Sequence, residues 1–281
     1  MGNDFMNALS GIMQQQGIEI TKPAMSPEEY AQLRCDWYNK TVGKLTGVNC
    51  DKCLNKGYIA KINSEGVEVH EECECMKIRD NIKAMEKSGL NGLLDRYTFN
   101  GYEMTSDWQK RMKAACEIYA QHSADEWLFL SGVSGSGKTH LCTAVCKYLI
   151  SEGHEVKYLL WFDIVHRLEG LRYKYEDRQA YLSEISNVEI LYIDDFLKSP
   201  KDTDGVSKQP NATELRYAYE ILNNRYNAKK KTILSTEWQL QEINGFDTAV
   251  AGRIRERSAK FIIQVQRGED RNYRMKTSQT S

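Results

Sequence analysis

Residues 132–139 constrain this chain more than any other segment, because they read G-V-S-G-S-G-K-T and match the phosphate-loop pattern G-x-x-x-x-G-K-T/S in full. Such a loop lies between a strand and a helix, where backbone N–H groups and the amino end of the helix hold phosphate oxygens. The flanking sequence fits this context. Residues 127–130 are apolar, and Leu141, Val145 and Leu149 repeat at helical spacing. The sequence therefore predicts a nucleotide site in an α/β fold.

Two residues of this loop have predicted roles in addition to backbone contacts. Lys138 can reach the β and γ phosphates, and the Thr139 hydroxyl can complete the shell of a Mg²⁺ ion. We expect the nucleotide to be bound by Gly132, Val133, Ser134, Gly135, Ser136, Gly137, Lys138, Thr139 and His140.

A nucleoside triphosphatase also needs an acid at the end of a neighbouring strand. Residues 190–193 are apolar and are followed by Asp194 and Asp195. We expect Asp194 to hold Mg²⁺ through water and Asp195 to polarise the attacking water. The pattern is weak alone, but its position, after two further strand–helix elements, makes it specific.

The rest of the C-terminal two thirds alternates between strand-like and helix-like segments, which predicts a parallel sheet covered by helices. The predicted strands are residues 127–130, 156–161, 190–193 and 232–235, and the predicted helices begin near residues 138, 162 and 213. Near the N-terminus, Phe5, Leu9 and Met13 indicate one helix, and Ser26-Pro27-Glu28-Glu29 is typical of the start of a second.

Four of the eight cysteines form two close pairs, Cys50-x-x-Cys53 and Cys73-x-Cys75. Two such pairs are typical of a tetrahedral zinc site, and residues 57–62 between them suit the hairpin of a small zinc ribbon. Because C-x-C is tighter than usual, His70 could replace one thiol, and unligated reduced cysteines are the remaining alternative. The expected role of the metal is structural.

Composition excludes several classes of protein. The 38 Lys and Arg residues balance the 39 Asp and Glu residues, so nucleic-acid contacts must use a local groove rather than a uniformly basic surface. No apolar stretch is long enough for a membrane span, and the N-terminus does not resemble a secretory signal. These observations predict a soluble, cytoplasmic protein without a membrane partner.

With these motifs in this order, the chain resembles the AAA+ ATPases of the DnaC/DnaI helicase-loader and IstB-like group over residues 46–267. The resemblance depends on the phosphate loop and on residues 86–90, 97–99, 193–196, 224–226 and 252–257. It implies an AAA+ P-loop ATPase with a parallel sheet flanked by helices, preceded by a small helical and zinc-ribbon domain. It also implies the cofactors ATP, Mg²⁺ and Zn²⁺, and a role in loading a replicative helicase onto single-stranded DNA.

The resemblance assigns further roles by position. Arg253 is similar to the arginine finger that reaches a neighbouring subunit's nucleotide, which implies ATP-dependent self-association, and Arg257 and Arg225 are the substitutes. Thr236 is the candidate for the polar group called sensor 1. Too few residues follow Arg257 for the helical lid of larger relatives.

The sequence also predicts where the domains begin and end. Residues 1–76 are expected to dock a partner and residues 105–281 to form the ATPase domain. Residues 77–104 are expected to connect these two domains.

The expected single-stranded DNA contacts combine aromatic and basic side chains: Phe162, Arg167, Arg172, Tyr173 and Lys174, followed by Tyr175. The alternative is an ordinary amphipathic helix with Phe162 and Tyr173 in the core.

Two other functions remain open at this stage. One is an IstB-like transposition helper, which would share the ATPase core and serve a transposase. The other is a nucleotide-dependent DNA-binding or interaction module with little turnover.

Overall fold

The computed structural model describes residues 25–85, 93–199, 208–266 and 268. The predicted helix at Phe5, Leu9 and Met13 and the segment 86–90 lie outside these residues. The chain divides into two compact units between Cys73 and Glu74. The predicted connector, residues 77–104, begins three residues beyond this division.

The first unit contains a helix, α1 (Pro27–Lys40), and a hairpin of β1 (Tyr58–Ile62) and β2 (Glu68–Glu72). The predicted helix start at Ser26 is confirmed. The Ser26 hydroxyl accepts a bond from the Glu29 N–H at 3.1 Å, and the Glu29 carboxylate accepts one from the Ser26 N–H at 2.8 Å. This reciprocal pair satisfies two donors that a helix start otherwise leaves open.

Asn39, near the end of α1, is bonded to the backbone of the hairpin. Its amide group donates to the Ala60 carbonyl at 2.9 Å and accepts from the Ala60 N–H at 3.0 Å. Helix α1 therefore covers the middle of the outward edge of β1.

The second unit is built on one sheet whose strands are β3 (Leu128–Ser131), β4 (Val156–Leu160), β5 (Ile190–Asp194), β6 (Lys231–Thr236) and β7 (Ile262–Gln264). Their order across the sheet is β4-β5-β6-β3-β7, and all the pairings are parallel. The predicted parallel sheet is thus confirmed, and the short β7 is an addition that the sequence did not indicate.

Helices cover both faces of this sheet. They are α2 (Glu74–Met85), α3 (Leu93–Arg96), α4 (Asp107–His122), α5 (Lys138–Ser151), α6 (Trp161–Gly170), α7 (Tyr175–Asn187), α8 (Ala212–Asn227), α9 (Leu240–Phe246) and α10 (Thr248–Arg257). Alternate residues of each strand belong to the two faces. In β5, Leu191 and Ile193 pack with α6 to α10, whereas Ile190 and Tyr192 pack with α4 and α5.

A helix that crosses a bilayer needs about 20 consecutive, mostly apolar residues. Within the described residues, none of the helices is long and apolar enough to cross a bilayer.

Candidate functional site

The carboxyl ends of the neighbouring strands β5, β6 and β3 meet at one edge of the sheet, where ligands bind in open α/β folds. A cavity of about 530 Å³ lies there. It is lined by Arg96, Tyr97, Gly101, Tyr102, Glu103, Gln109, Ser134, Gly135, Ser136, Gly137, Lys138, Thr139, His140, Asp195, Lys198 and Glu237. Most of the predicted nucleotide-binding residues are therefore brought together in one place.

The phosphate loop has the backbone that its glycines permit. Gly135 and Gly137 have φ angles of 75° and 89°, in the left-handed region that favours glycine. Gly137 is also short of space, because a Cβ atom there would lie 2.7 Å from the Tyr102 ring. Any larger residue at position 137 would displace Tyr102 from the cavity wall.

Lys138 begins α5, as predicted, and its side chain is folded over the loop. Its ammonium group donates to the carbonyls of Gly132 at 2.7 Å and Val133 at 3.0 Å. Burial lowers the pKa of Lys138, and the carboxylates of Glu237 and Asp195 act in the opposite direction. This lysine is thus held at the loop with acids nearby.

The predicted magnesium pair is in contact. The Thr139 hydroxyl donates to the Asp194 carboxylate at 3.2 Å, and Ser235 on β6 donates to the same oxygen. Tyr158 donates to the other Asp194 oxygen at 3.4 Å. A hydroxyl and a carboxylate oxygen are hard ligands suited to Mg²⁺, so these residues fit the ion that nucleotides carry.

Two polar groups of the cavity support the fit to a nucleotide. Ser136 Oγ and the Tyr102 hydroxyl are buried and have no hydrogen-bond partner among the described residues. Buried polar groups are normally paired, so oxygen atoms of a ligand would provide the hydrogen-bond partners of these two hydroxyls. His140 packs beside them, stacked on Tyr97 at 4.6 Å and bonded to the Thr98 carbonyl at 2.9 Å.

Asp195 lies at the cavity wall and has a lysine partner. Lys198 Nζ lies 3.0 Å from Asp195 Oδ2 and 3.1 Å from Glu237 Oε1. Although burial alone would lower it, the pKa of Lys198 is raised by its bonds to Asp195 and Glu237. Sequence reasoning missed both Lys198 and Glu237.

Thr236, the sensor candidate, is fully buried and does not line the cavity. Its hydroxyl donates to the Phe196 carbonyl at 2.7 Å and accepts from the Trp238 N–H at 3.1 Å. The residue of this strand end that lines the cavity is Glu237. Thr236 therefore supports the segment after β5, and a position one residue later reaches the site.

The three arginines proposed as fingers have different surroundings. Arg253 is partly exposed on α10, where it donates to the Asn223 side chain at 2.6 and 3.0 Å and covers the Tyr219 ring at 4.6 Å. Arg257 is paired with Asp125 at 2.9 Å. The finger role of Arg253 stays a prediction.

Arg225 is excluded as a finger because it is fully buried. Its guanidinium donates to the Thr232 hydroxyl and to five carbonyls, those of Ile185, Ser186, Val188, Glu189 and Lys231. Burial lowers its pKa to about 9, so the group stays charged at neutral pH. Arg225 joins the end of α7 to the start of β6.

The predicted DNA contacts lie on an exposed surface at α6 and the turn that follows it. Phe162, Arg167, Arg172, Tyr173 and Lys174 are all exposed. The alternative that placed Phe162 and Tyr173 in the core is therefore wrong, because the core side of α6 is made of Trp161, Ile164, Val165 and Leu168.

The sulfur atoms of Cys50, Cys53, Cys73 and Cys75 all lie within 4.8 Å of one another. The Cys50 and Cys73 sulfurs are 3.7 Å apart, and two ligands of a tetrahedral zinc ion at about 2.3 Å would be about 3.8 Å apart. The alternative ligand His70 is bonded to Glu68 at 3.1 Å instead. The donor set therefore fits zinc.

The zinc content of cysteine variants gives a direct test of this cluster. The purified chain should contain one zinc ion, and Cys50→Ser should lower the zinc content measured by elemental analysis, because three thiolates bind the ion more weakly. Cys35→Ser is the matched control, since Cys35 is a buried thiol in the same unit as Cys50 and is not part of the cluster. Equal zinc content in all three proteins would contradict the assignment.

The parallel five-stranded sheet, its phosphate loop and the acid at the end of β5 define a P-loop ATPase fold of the AAA+ class. The family model of the bacterial DnaA ATPase domain matches residues 93–258, more than half of the chain. This protein belongs to that family.

Curated relatives agree with this assignment. The phage-like element PBSX protein XkdC of Bacillus subtilis is 27% identical over 227 residues, which cover 76% of this chain and 81% of XkdC. YqaM of the same organism is 27% identical over 203 residues, 68% of this chain and 62% of YqaM, so less than two thirds of that relative is spanned. The replicative helicase loader DnaC of Escherichia coli is 25% identical over 169 residues, 57% of this chain and 63% of DnaC.

Solved structures share the fold. AMPPCP-bound DnaA from Aquifex aeolicus matches with a TM-score of 0.50 and 17% sequence identity. The match covers 67% of this chain and 56% of the DnaA chain. This likeness shows the fold, and the family model and the curated relatives show an AAA+ family member related to DnaA and DnaC.

Proposed function

We propose that this protein is an ATP-dependent helicase loader. The observation that carries the ATP part is the cavity in which Lys138, Thr139 and Asp194 converge with the unpartnered hydroxyls of Ser136 and Tyr102. Bound Mg²⁺·ATP would supply the reactive phosphate. Lys138 would hold the β and γ phosphates, Thr139 and Asp194 would hold the ion, and Asp195 would orient the attacking water.

The loader part of the proposal is supported by the relationship to DnaC, whose name describes a replicative helicase loader. It is also supported by an apolar row on α1. Tyr30, Leu33 and Trp37 are exposed large side chains at helical spacing in the first unit. Adjacent exposed apolar groups of this kind are typical of a surface that docks another protein.

Capture of the cognate replicative helicase tests the loader role. Leu33→Asp in the full chain should weaken capture about tenfold or more, because a charge would enter an apolar contact. Ile118→Asp is the matched control, since Ile118 is 53% exposed on α4 and Leu33 is 54% exposed on α1. Failure of the unmodified chain to bind helicase, or capture of a transposase instead, would reject the loader role.

We also propose that single-stranded DNA binds at the exposed surface of α6 and its following turn. Tyr173 is 92% exposed beside Arg172, whose guanidinium lies 5.7 Å from its ring. Such a ring offers a stacking face for a base, and the neighbouring cations attract the backbone.

Tyr173→Ala should weaken binding of a labelled single strand about tenfold, as loss of one stacked base implies. Tyr58→Ala, which removes a partly exposed ring from the first unit, is the control. Fluorescence anisotropy at several salt concentrations gives the affinities. Equal affinity in the two variants would place DNA binding elsewhere.

A further inference from the structure

Lys198 lies between two carboxylates that belong to neighbouring strand ends. Asp195 follows β5 and Glu237 follows β6, and Lys198 Nζ is bonded to both at 3.0 and 3.1 Å. All three residues line the cavity that holds the phosphate loop. The lysine therefore bridges the two acids at the site where the nucleotide is expected.

The bridge is held by the backbone around it. Thr236 donates to the Phe196 carbonyl at 2.7 Å, and the Trp238 ring N–H donates to the Leu197 carbonyl at 2.9 Å. The two residues that precede Lys198 are thus fixed to the end of β6. A lysine with a fixed origin and two partners differs from an ordinary exposed ion pair, whose long side chains lose entropy on pairing.

Charge explains what the bridge can do. Lys138 interacts electrostatically with Asp194, Asp195, Glu237 and Lys198, so the phosphate end of the cavity contains three carboxylates and two lysines. The terminal phosphate of a nucleoside triphosphate adds negative charge beside these carboxylates. Repulsion at such short range is large in a partly buried site. Without Lys198, the carboxylates of Asp195 and Glu237 would face that phosphate unpaired.

We propose that Lys198 is a positioning residue that compensates the negative charges of Asp195 and Glu237. It thereby makes the site accept a nucleoside triphosphate in preference to a diphosphate. A diphosphate lacks the phosphate that would approach the two acids, so its binding depends less on the bridge. This inference rests on the proposed ATP site and adds a determinant of selectivity between ATP and ADP.

Calorimetric titration of the full chain with ADP and with a non-hydrolysable ATP analogue tests the role of the bridge. Lys198→Met should weaken binding of the analogue about tenfold and that of ADP much less. Lys198→Arg, which keeps the charge, should preserve the preference. Adding Glu237→Gln to Lys198→Met should recover most of the lost affinity, because one of the uncompensated charges is removed.

Lys157→Met is the matched control. Lys157 is paired with Glu184 on the surface, and its side chain is 30% exposed where that of Lys198 is 32% exposed. If Lys198→Met lowers affinity for both nucleotides equally, or leaves both unchanged, the proposal is overturned. If the unmodified chain binds neither nucleotide, the proposed ATP site is wrong as well. Recovery by Glu237→Gln separates charge compensation from loss of structure, which a second substitution would not repair.

Discussion

Replacing Lys138 with alanine should reduce ATP affinity about a hundredfold or more while the fold and the zinc content remain. The reason is that Lys138 is the buried cation at the phosphate loop. Loss of one partner from a desolvated charge pair removes roughly 2–5 kcal/mol of binding free energy. Titration with a fluorescent ATP analogue measures the affinity, and circular dichroism checks the fold.

Lys147→Ala is the control for this experiment. Lys147 is on the same helix, α5, and also donates to a backbone carbonyl, that of Leu94 at 2.7 Å. It is far along the helix from the phosphate loop, so ATP affinity should not change. Unchanged ATP affinity in Lys138→Ala would remove the proposed nucleotide site.

Arg225→Met should lower the free energy of unfolding of the protein by about 3 kcal/mol or more. The substitution keeps much of the apolar stem but leaves buried carbonyls of Ile185, Ser186 and Val188 without their donor. Each unsatisfied buried group costs about 1–3 kcal/mol, and five carbonyls and one hydroxyl share this guanidinium. The urea midpoint followed by circular dichroism measures the loss.

Arg216→Met on the same helix, α8, provides the comparison, because Arg216 is exposed. Its effect should stay within about 0.5 kcal/mol. Two variants of equal stability would show that the buried guanidinium does not stabilise the fold. At a temperature where both variants are folded, their ATP affinity should be equal, since Arg225 does not line the nucleotide cavity.

The sequence predicted those parts of the fold that depend on local patterns. The start of α5 at Lys138 follows from a glycine loop that precedes an apolar helix, and the start of α1 follows from the Ser26 capping box. Strand β5 was predicted because four apolar residues end at an acid. In each case the determining residues are close together in the chain.

The unpredicted parts depend on contacts between distant segments. The bridge from Lys198 to Glu237 joins residues on different strand ends, and no spacing rule relates them. Whether Thr236 or Glu237 reaches the cavity is decided by the contact of Thr236 with Phe196. Strand β7 has three residues, too few for a pattern.

The spacing of apolar residues in α8 indicates that Arg225 is buried. The buried residues of α8 include Tyr217, Ala218, Ile221 and Leu222, and Arg225 continues this spacing on the same face. An arginine on the apolar stripe of a helix must find buried acceptors. The carbonyls at the end of α7 provide them, but only the folded structure identifies these partners.

The contact of Asn39 with Ala60 has a consequence for the newly synthesised chain. A two-stranded hairpin is marginally stable alone, and its open edge is a template on which strands of other chains can add and aggregate. The Asn39 amide occupies both backbone groups of Ala60 at the centre of that edge. A side chain that occupies the backbone groups of an edge strand in this way shields the hairpin from pairing with strands of other chains.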